Sequence, residues 1–452
     1  MRTPARSASN HRHIVRHVTA VGAVCASVLA AFAAPAGAAW LSPVDLSPET
    51  GVNAQKVRVA MDHRGDAVAV WQASNGTEIS VQVSIRSVST GTWATPTVLT
   101  TEGNGIKDPN VAVDERGDAA VVWQVESGLT SFVKAAVKTA GSAVWHVESV
   151  SGEEGGRPSI AIDSHGDAVV VWLANPTNAV TSSVRPAGGK WHAPVQLSGA
   201  GFSGEEPTVA ANPRGDAVAA WHGFEGESSV AQAAVRSASS GTWSAAATLS
   251  TPGEAGANAL ATRAGIDAHG NATVTWTRED VLKSATRLAV AAVWGAPVDV
   301  SAGGEQVINH GLAVSSHGEA VAVWTGASGS ANIVESASRA SAATSWHEPV
   351  NIFTAPEGKT PTEPNVAINR SGRAVAVWAV ALGKFLTFRR FVQSSVRPEA
   401  TAAWGEPVSL TAESENAPTP QVAISPPGDA VAAWELIHGS SENIVQSAFY
   451  EP

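Results

Sequence analysis

Cysteine, tyrosine and methionine are nearly missing from this chain: of 452 residues, one is cysteine, one tyrosine and two methionine. Cys25 lies in an apolar stretch close to the N-terminus, so the rest of the chain has no disulfide, no thiolate metal site and no thiol chemistry. Positive charge is also scarce, with 29 Lys and Arg against 40 Asp and Glu. That balance argues against nucleic acid or an anionic membrane surface as a partner. Past the N-terminal stretch, no apolar run is long enough to span a bilayer. The sequence contains no Ser-His-Asp signature, no histidine cluster at metal-ligand spacing and no phosphate loop.

Tryptophan is abundant: there are sixteen, all at one of two positions in a unit of roughly 50 residues that recurs eight times. One series, Trp71, Trp123, Trp172, Trp221, Trp276, Trp324, Trp378 and Trp434, ends a short apolar run after a glycine turn. The other, Trp40, Trp93, Trp145, Trp191, Trp243, Trp294, Trp346 and Trp404, opens a segment that usually bears proline. Each repeat reads as four short strands, the mark of an all-β, eight-bladed β-propeller with four antiparallel strands per blade. The second series starts before the first. Residues 40–47 are therefore a fourth strand with no repeat in front, and Val445–Phe449 is a third strand with none behind. A ring in which the N-terminal strand completes the C-terminal blade would leave neither edge open.

The four strands differ in chemistry. Strand a is short and apolar, as in Pro109–Asp114, and leads into a turn of pattern Asp/Asn/Ser-x-x-Gly-Asp, as in Asp62 to Asp66. The leading side chain can bond amides of its own turn, and the glycine supplies a positive φ. Strand b is a continuous Ala/Val run that suits burial on both faces. Strand c often ends in a basic residue, such as Arg86, Arg185 or Arg397. Strand d carries proline three residues after its tryptophan in six repeats, from Pro43 to Pro407, which places it at the outer edge.

Residues 1–38 read as a secretory signal: Arg2, Arg6, Arg12 and Arg16, an apolar stretch from Val18 to Ala34, and Ala36-Gly37-Ala38 as the cleavage site. The expected product is a single propeller domain of residues 39–452, secreted to the exterior or the periplasm, cysteine-free and monomeric. Losing four arginines leaves 25 basic against 40 acidic side chains, a net charge of −15.

Strand parity sorts the loops onto two faces. The a–b and c–d turns, with charges of both signs, share one. The d–a and b–c loops share the other, and every d–a loop holds glutamate: Glu49, Glu102, Glu153 with Glu154, Glu205 with Glu206, Glu254, Glu305, Glu357 with Glu363, and Glu413 with Glu415. These carboxylates either keep long loops soluble or form a site for a cation or a hydroxyl-rich ligand. Calcium needs about six to eight oxygens at one point, and one glutamate per loop does not show that convergence; no cofactor is expected, with calcium left open. The seventh repeat departs from the rest through its longer b–c connection, Gly383–Phe391, with Lys384, Phe385, Phe388, Arg389 and Arg390. Its aromatics either pack on a neighbouring blade or, with the cations, confer specificity. Arg-Gly-Asp occurs three times, at 64–66, 116–118 and 214–216, always within the turn pattern, so it belongs to the repeat and not to adhesion.

On these Gly-turn and Trp motifs the chain resembles secreted bacterial propeller repeat proteins. It is only loosely similar to the Asp-box propellers of sialidases, because Gly117 stands six residues before Trp123 where an Asp-box has a shorter spacing. A sialidase also uses a tyrosine nucleophile, and the sole tyrosine is Tyr450, third from the C-terminus. The Gly-His and Trp-Asp signature of WD40 blades is absent, as are the paired cysteines of quinone-dependent dehydrogenases. Two functions follow as expectations: a binding or scaffold propeller engaging a glycan, cell-wall polymer or cell-surface protein on the glutamate-bearing face, or a glycan-active hydrolase or lyase with two carboxyls roughly 5–10 Å apart on that face.

Overall fold

The computed structural model describes residues 38–47, 51–102, 105–152, 154–225, 228–250, 259–383, 389–438 and 442–452. Among these there is no helix. Residues Ala38–Pro452 form one compact unit of eight antiparallel sheets. In each sheet strands a, b, c and d follow in order, and strand a of every blade touches strand a of the next, the eighth returning to the first. The fold is an eight-bladed β-propeller with strand a around the axis and strand d at the rim.

In blade 1, strand a is Asn53–Met61, strand b Ala67–Ser74 and strand c Ile79–Ser87. Strand d is split into Thr92–Trp93 and Thr97–Glu102 on either side of Pro96, which has no N–H to give the ladder. The closing strand is split in the same way around Pro43. Ala39 and Trp40 pair with Glu451 and Tyr450 of strand c of blade 8 (Glu442–Glu451), and Val44 and Asp45 pair with Ser447 and Gln446. The Leu41 and Leu46 N–H groups complete the ladder on the Phe449 and Val445 carbonyls. Blade 8 is thus finished by residues that precede blade 1 in the sequence.

The core is a ring of layers, one between each pair of adjacent blades. The eight strand-b tryptophans are 0–2% exposed, and each packs against the preceding blade: Trp123 meets Val68, Val70 and Val81, and Trp71 meets Leu46, Ala433 and Val445 of blade 8. The rim tryptophans are half-buried and join the same layers, as Trp145 and Trp243 do. Both tryptophans of a blade therefore face the blade before it. Burying a side chain of this size stabilises by roughly 1.5–3 kcal/mol. The many alanines of strand b let neighbouring sheets approach closely near the axis.

The repeated turn is a two-step lock. Buried Asp62 accepts the Arg64 and Asp66 N–H groups at 2.8 and 2.9 Å. Asp66 in turn accepts the Val88 N–H, 2.7 Å away in the c–d turn. Asp118 and Asp216 do the same for Ala140 and Ala238. The aspartates of all three Arg-Gly-Asp tripeptides are thus engaged in the fold. Gly215, at φ +89°, shows why the corner is glycine: a Cβ there would stand 2.6 Å from Asp163 Oδ2 of the preceding blade. Of the basic residues that end strand c, Arg86, Arg339 and Arg397 are buried and the others are half-buried. Arg397 pairs with Glu319 at 2.5 Å, and the Arg86 guanidinium lies 3.5 Å from the Phe449 ring centre.

Candidate functional site at the axial mouth

Strand a begins on the face that carries the d–a and b–c loops, and there it breaks register. In blade 1, Gln55 pairs with Gln72 and Arg58 with Val70, so Lys56 and Val57 together oppose Trp71. The same bulge faces the strand-b tryptophan in blades 2, 3, 4, 5 and 7. Its first residue has positive φ: Lys56 57°, Asp108 51°, Arg157 51°, Glu206 44°, Ala261 52° and Glu363 55°, with Thr419 of blade 8 at 54°. None is glycine, and each such residue costs about 1–2 kcal/mol against an ordinary strand conformation. Proline follows in five blades, Pro109, Pro158, Pro207, Pro364 and Pro420, where a bulge would otherwise leave an N–H without a ladder partner. Blade 6 departs from the others. Its extra residue is Ile308, between Val307 and Asn309, and it has no positive φ there.

Neighbouring blades brace the bulges. The Lys56 N–H donates to the Glu435 carboxylate of blade 8 at 2.5 Å, the Arg157 N–H to Gln124 Oε1 of blade 2 at 3.1 Å, and the Thr419 N–H to Glu363 of blade 7 at 2.8 Å. Burial raises the Glu435 carboxyl pKa, and the Lys56 N–H opposes that shift.

Seven blades together line a cavity of about 760 Å³ on the axis. A second cavity of about 240 Å³ adjoins it, and Arg58, Arg263, Asn365 and Gln421 line both. Five cations face the wider cavity, Lys56, Arg58, Lys107, Arg157 and Arg263, against two carboxylates, Asp108 and Glu206. Lys56 pairs with Asp108 at 2.9 Å and Lys107 with Glu126 at 2.6 Å. Among the described residues the three arginines have no ion pair. Arg58 and Arg263 each donate through Nη1 to the carbonyl of the preceding residue, both at 2.9 Å. Enclosure by the channel wall lowers the pKa of both guanidinium groups from the ordinary value, and they stay charged. The remaining lining is hydrophilic, with Asn110, Ser159, Thr208, Asn365 and Gln421. His310, at the inner cavity, is buried with Nε2 3.0 Å from Thr275 Oγ1. Burial and the nearby Arg263 hold its pKa well below the usual value, so it is neutral.

The loop glutamates do not gather into one site. Glu206 lies in strand a (Ser203–Ala211), not in the preceding loop, and lines the mouth; Glu363 lines the inner cavity. Glu305 opens strand a of blade 6 and adjoins Glu335, whose carboxyl is pushed up to about 7 by burial and by Glu305. Glu413 pairs with Lys359 at 2.6 Å. Glu154 is half-buried, Glu357 is exposed, and Glu102 ends the rim strand of blade 1. Glu254, Lys384, Phe385 and Phe388 lie outside the described residues. Arg389 and Arg390 belong to strand c of blade 7 (Arg389–Arg397) and not to the connection before it, because the ladder with strand b continues to Leu382 opposite Arg389. Arg389 Nη1 donates to the Ser414 carbonyl at 3.2 Å. Phe391 is a core residue, 1% exposed.

The axial cations escaped the motif-based reading. One signal for them was present: the bulge residues stand fifteen positions before the strand-b tryptophan in seven repeats, and that column is nearly all polar.

No protein family and no curated protein matches the sequence. Several solved structures share the architecture at low identity. A protein of unknown function from Dyadobacter fermentans has a TM-score of 0.46 and 10% identity, over 92% of this chain and 99% of that one. A polysaccharide lyase, an ulvan lyase, has a TM-score of 0.48 and 10% identity, over 81% and 96%. The β-propeller domain of the trilobed protease from Pyrococcus furiosus has a TM-score of 0.45 and 9% identity, over 80% and 97%. The likeness is of one propeller to another.

Proposed function

We propose that this chain is a binding propeller that takes a glycan at its axial mouth, on the face carrying the d–a and b–c loops. The observation that carries the reading is the mouth itself: a cavity of about 760 Å³ lined by amide, hydroxyl and charged side chains with little apolar surface. Its volume falls in the range of small-ligand sites, roughly 300–1,000 Å³. A lining of this kind matches a ligand rich in hydroxyl groups better than an apolar one. The strained bulges support the reading, because positive-φ residues other than glycine persist where surrounding structure holds them and cluster at binding sites.

Catalysis by a carboxyl pair is the weaker alternative. Glu305 and Glu335 are a pair that meets, but they lie within blade 6 and do not line the mouth. Export through a leader at residues 1–38 fits a role on extracellular polymers, and N-terminal sequencing of the exported protein should give a chain that begins at Ala39.

A glycan array probed with residues 39–452 and with Thr208→Trp, which fills the mouth from one wall, tests the site. Loss of binding at unchanged melting temperature is the expected result. Full binding by the variant would move the site elsewhere and end this reading.

A further inference from the structure

We propose that the group recognised at the axial mouth is an anion, a carboxylate or sulfate carried by the glycan, held between Arg58 and Arg263 with Arg157 at the rim. The inference rests on the reading of the mouth as a glycan site and adds the chemical class of the ligand.

Arg58 and Arg263 occupy the same column of the repeat, thirteen residues before their strand-b tryptophans. They belong to blades 1 and 5, which an eight-membered ring places opposite one another. Both line the wide mouth and the inner cavity, so they stand where one opens into the other. Burial lowers the Arg58 pKa most and repulsion from Arg263 adds to it, while Asp108 and Glu435 oppose the shift. Two like charges held across a cavity are unfavourable until an anion lies between them. A guanidinium meets a carboxylate or sulfate with two parallel N–H bonds.

Of the nearby carboxylates, Glu206 faces the same cavity as Arg263, and the others are already engaged. Asp108 pairs with Lys56, Glu126 with Lys107, Glu435 accepts the Lys56 N–H, and Glu363 accepts the Thr419 N–H. Elsewhere, Arg397 pairs with Glu319 and Arg185 with Glu148, while buried Arg86 lies over the Phe449 ring and buried Arg339 donates to Thr273 Oγ1. Among the described residues, three arginines that line one cavity have no ion pair, and the cavity's five cations outnumber its two carboxylates. The chain's net negative charge also makes indiscriminate capture of polyanions unfavourable, so attraction to one must be local.

The test uses residues 39–452 in calorimetric titrations against two matched pairs of polymers: polygalacturonate with its methyl ester, and dextran sulfate with dextran. The acidic member of at least one pair should bind at least tenfold more tightly than its neutral partner, and added salt should weaken it. Which pair responds separates carboxylate from sulfate. Arg58→Gln with Arg263→Gln should lose at least tenfold in that affinity without a fall in melting temperature, whereas Arg370→Gln on the opposite face should change nothing. Equal binding of charged and neutral partners, with Thr208→Trp abolishing both, would overturn the anion inference and leave the mouth as a glycan site. Undiminished binding in Thr208→Trp would overturn the mouth reading itself. Failure of all four polymers to bind would overturn the inference.

Discussion

Trp40 stacks on Tyr450 with ring centroids 5.4 Å apart and planes inclined at 57°. The sole tyrosine of the chain is thereby spent on closing the ring. Trp40→Ala should cost about 2 kcal/mol, less than for a fully buried tryptophan because Trp40 is half-buried. A double-mutant cycle with Tyr450→Ala should give a coupling of about 0.5–1.5 kcal/mol. Calorimetric melting of the four proteins measures both. Additive losses would show that the stack adds nothing beyond the area each ring buries.

Stability should fall as pH rises between about 4.5 and 7 because of Glu335. Its carboxyl is pushed up to about 7 in the folded chain against an ordinary value of 4.5, so the folded state binds more proton in that window. The stabilising neutral form is complete below 4.5 and is lost as pH passes through 7. Other blades put glutamine at this place, and Gln232, Gln393 and Gln446 accept the tryptophan indole N–H at 3.1–3.2 Å. Glu335→Gln should therefore add about 1–2 kcal/mol of stability at pH 8 after screening, raising the melting temperature and flattening its pH dependence. An unchanged slope between pH 5 and 8 would assign the dependence to other groups.

Gly215→Ala and Gly76→Ala separate two costs. Both glycines have φ +89°, but a Cβ at Gly76 meets nothing within 4 Å, whereas at Gly215 it presses on Asp163 of the preceding blade. Gly76→Ala should cost about 1 kcal/mol of backbone strain, and Gly215→Ala about 1–3 kcal/mol more from the clash. Equal losses in chemical denaturation would mean that the turns tolerate movement between blades.

The ring, its eight blades and its closure were legible because a few residue types mark them. Tryptophan is large and rarely placed by chance, the turn glycine needs positive φ, and proline in strand d can only sit at an edge. The axial site was hidden for the opposite reason. Lys56, Asp108, Arg157, Glu206 and Thr419 are polar but differ in charge, and what unites them is a backbone conformation that non-glycine residues seldom adopt. Arg58 and Arg263 line the same cavity only because a ring sets blade 1 across from blade 5. The loop glutamates were visible, but their partners, such as Lys359 for Glu413, come from neighbouring strands that pairing rules do not specify.

The closing strand has a consequence for the order of assembly. Seven blades are built wholly from consecutive segments, so each can form as soon as its own four strands have been made. The eighth pairs residues 39–45 with residues 446–451, the longest separation in the fold. The first strand of the domain to be synthesised is therefore the last to find its place, and it must stay unpaired while all the others assemble. Contacts this distant in sequence are slow to form. Completion of the ring should set the pace of folding, and the same joint is where the finished ring would first come apart.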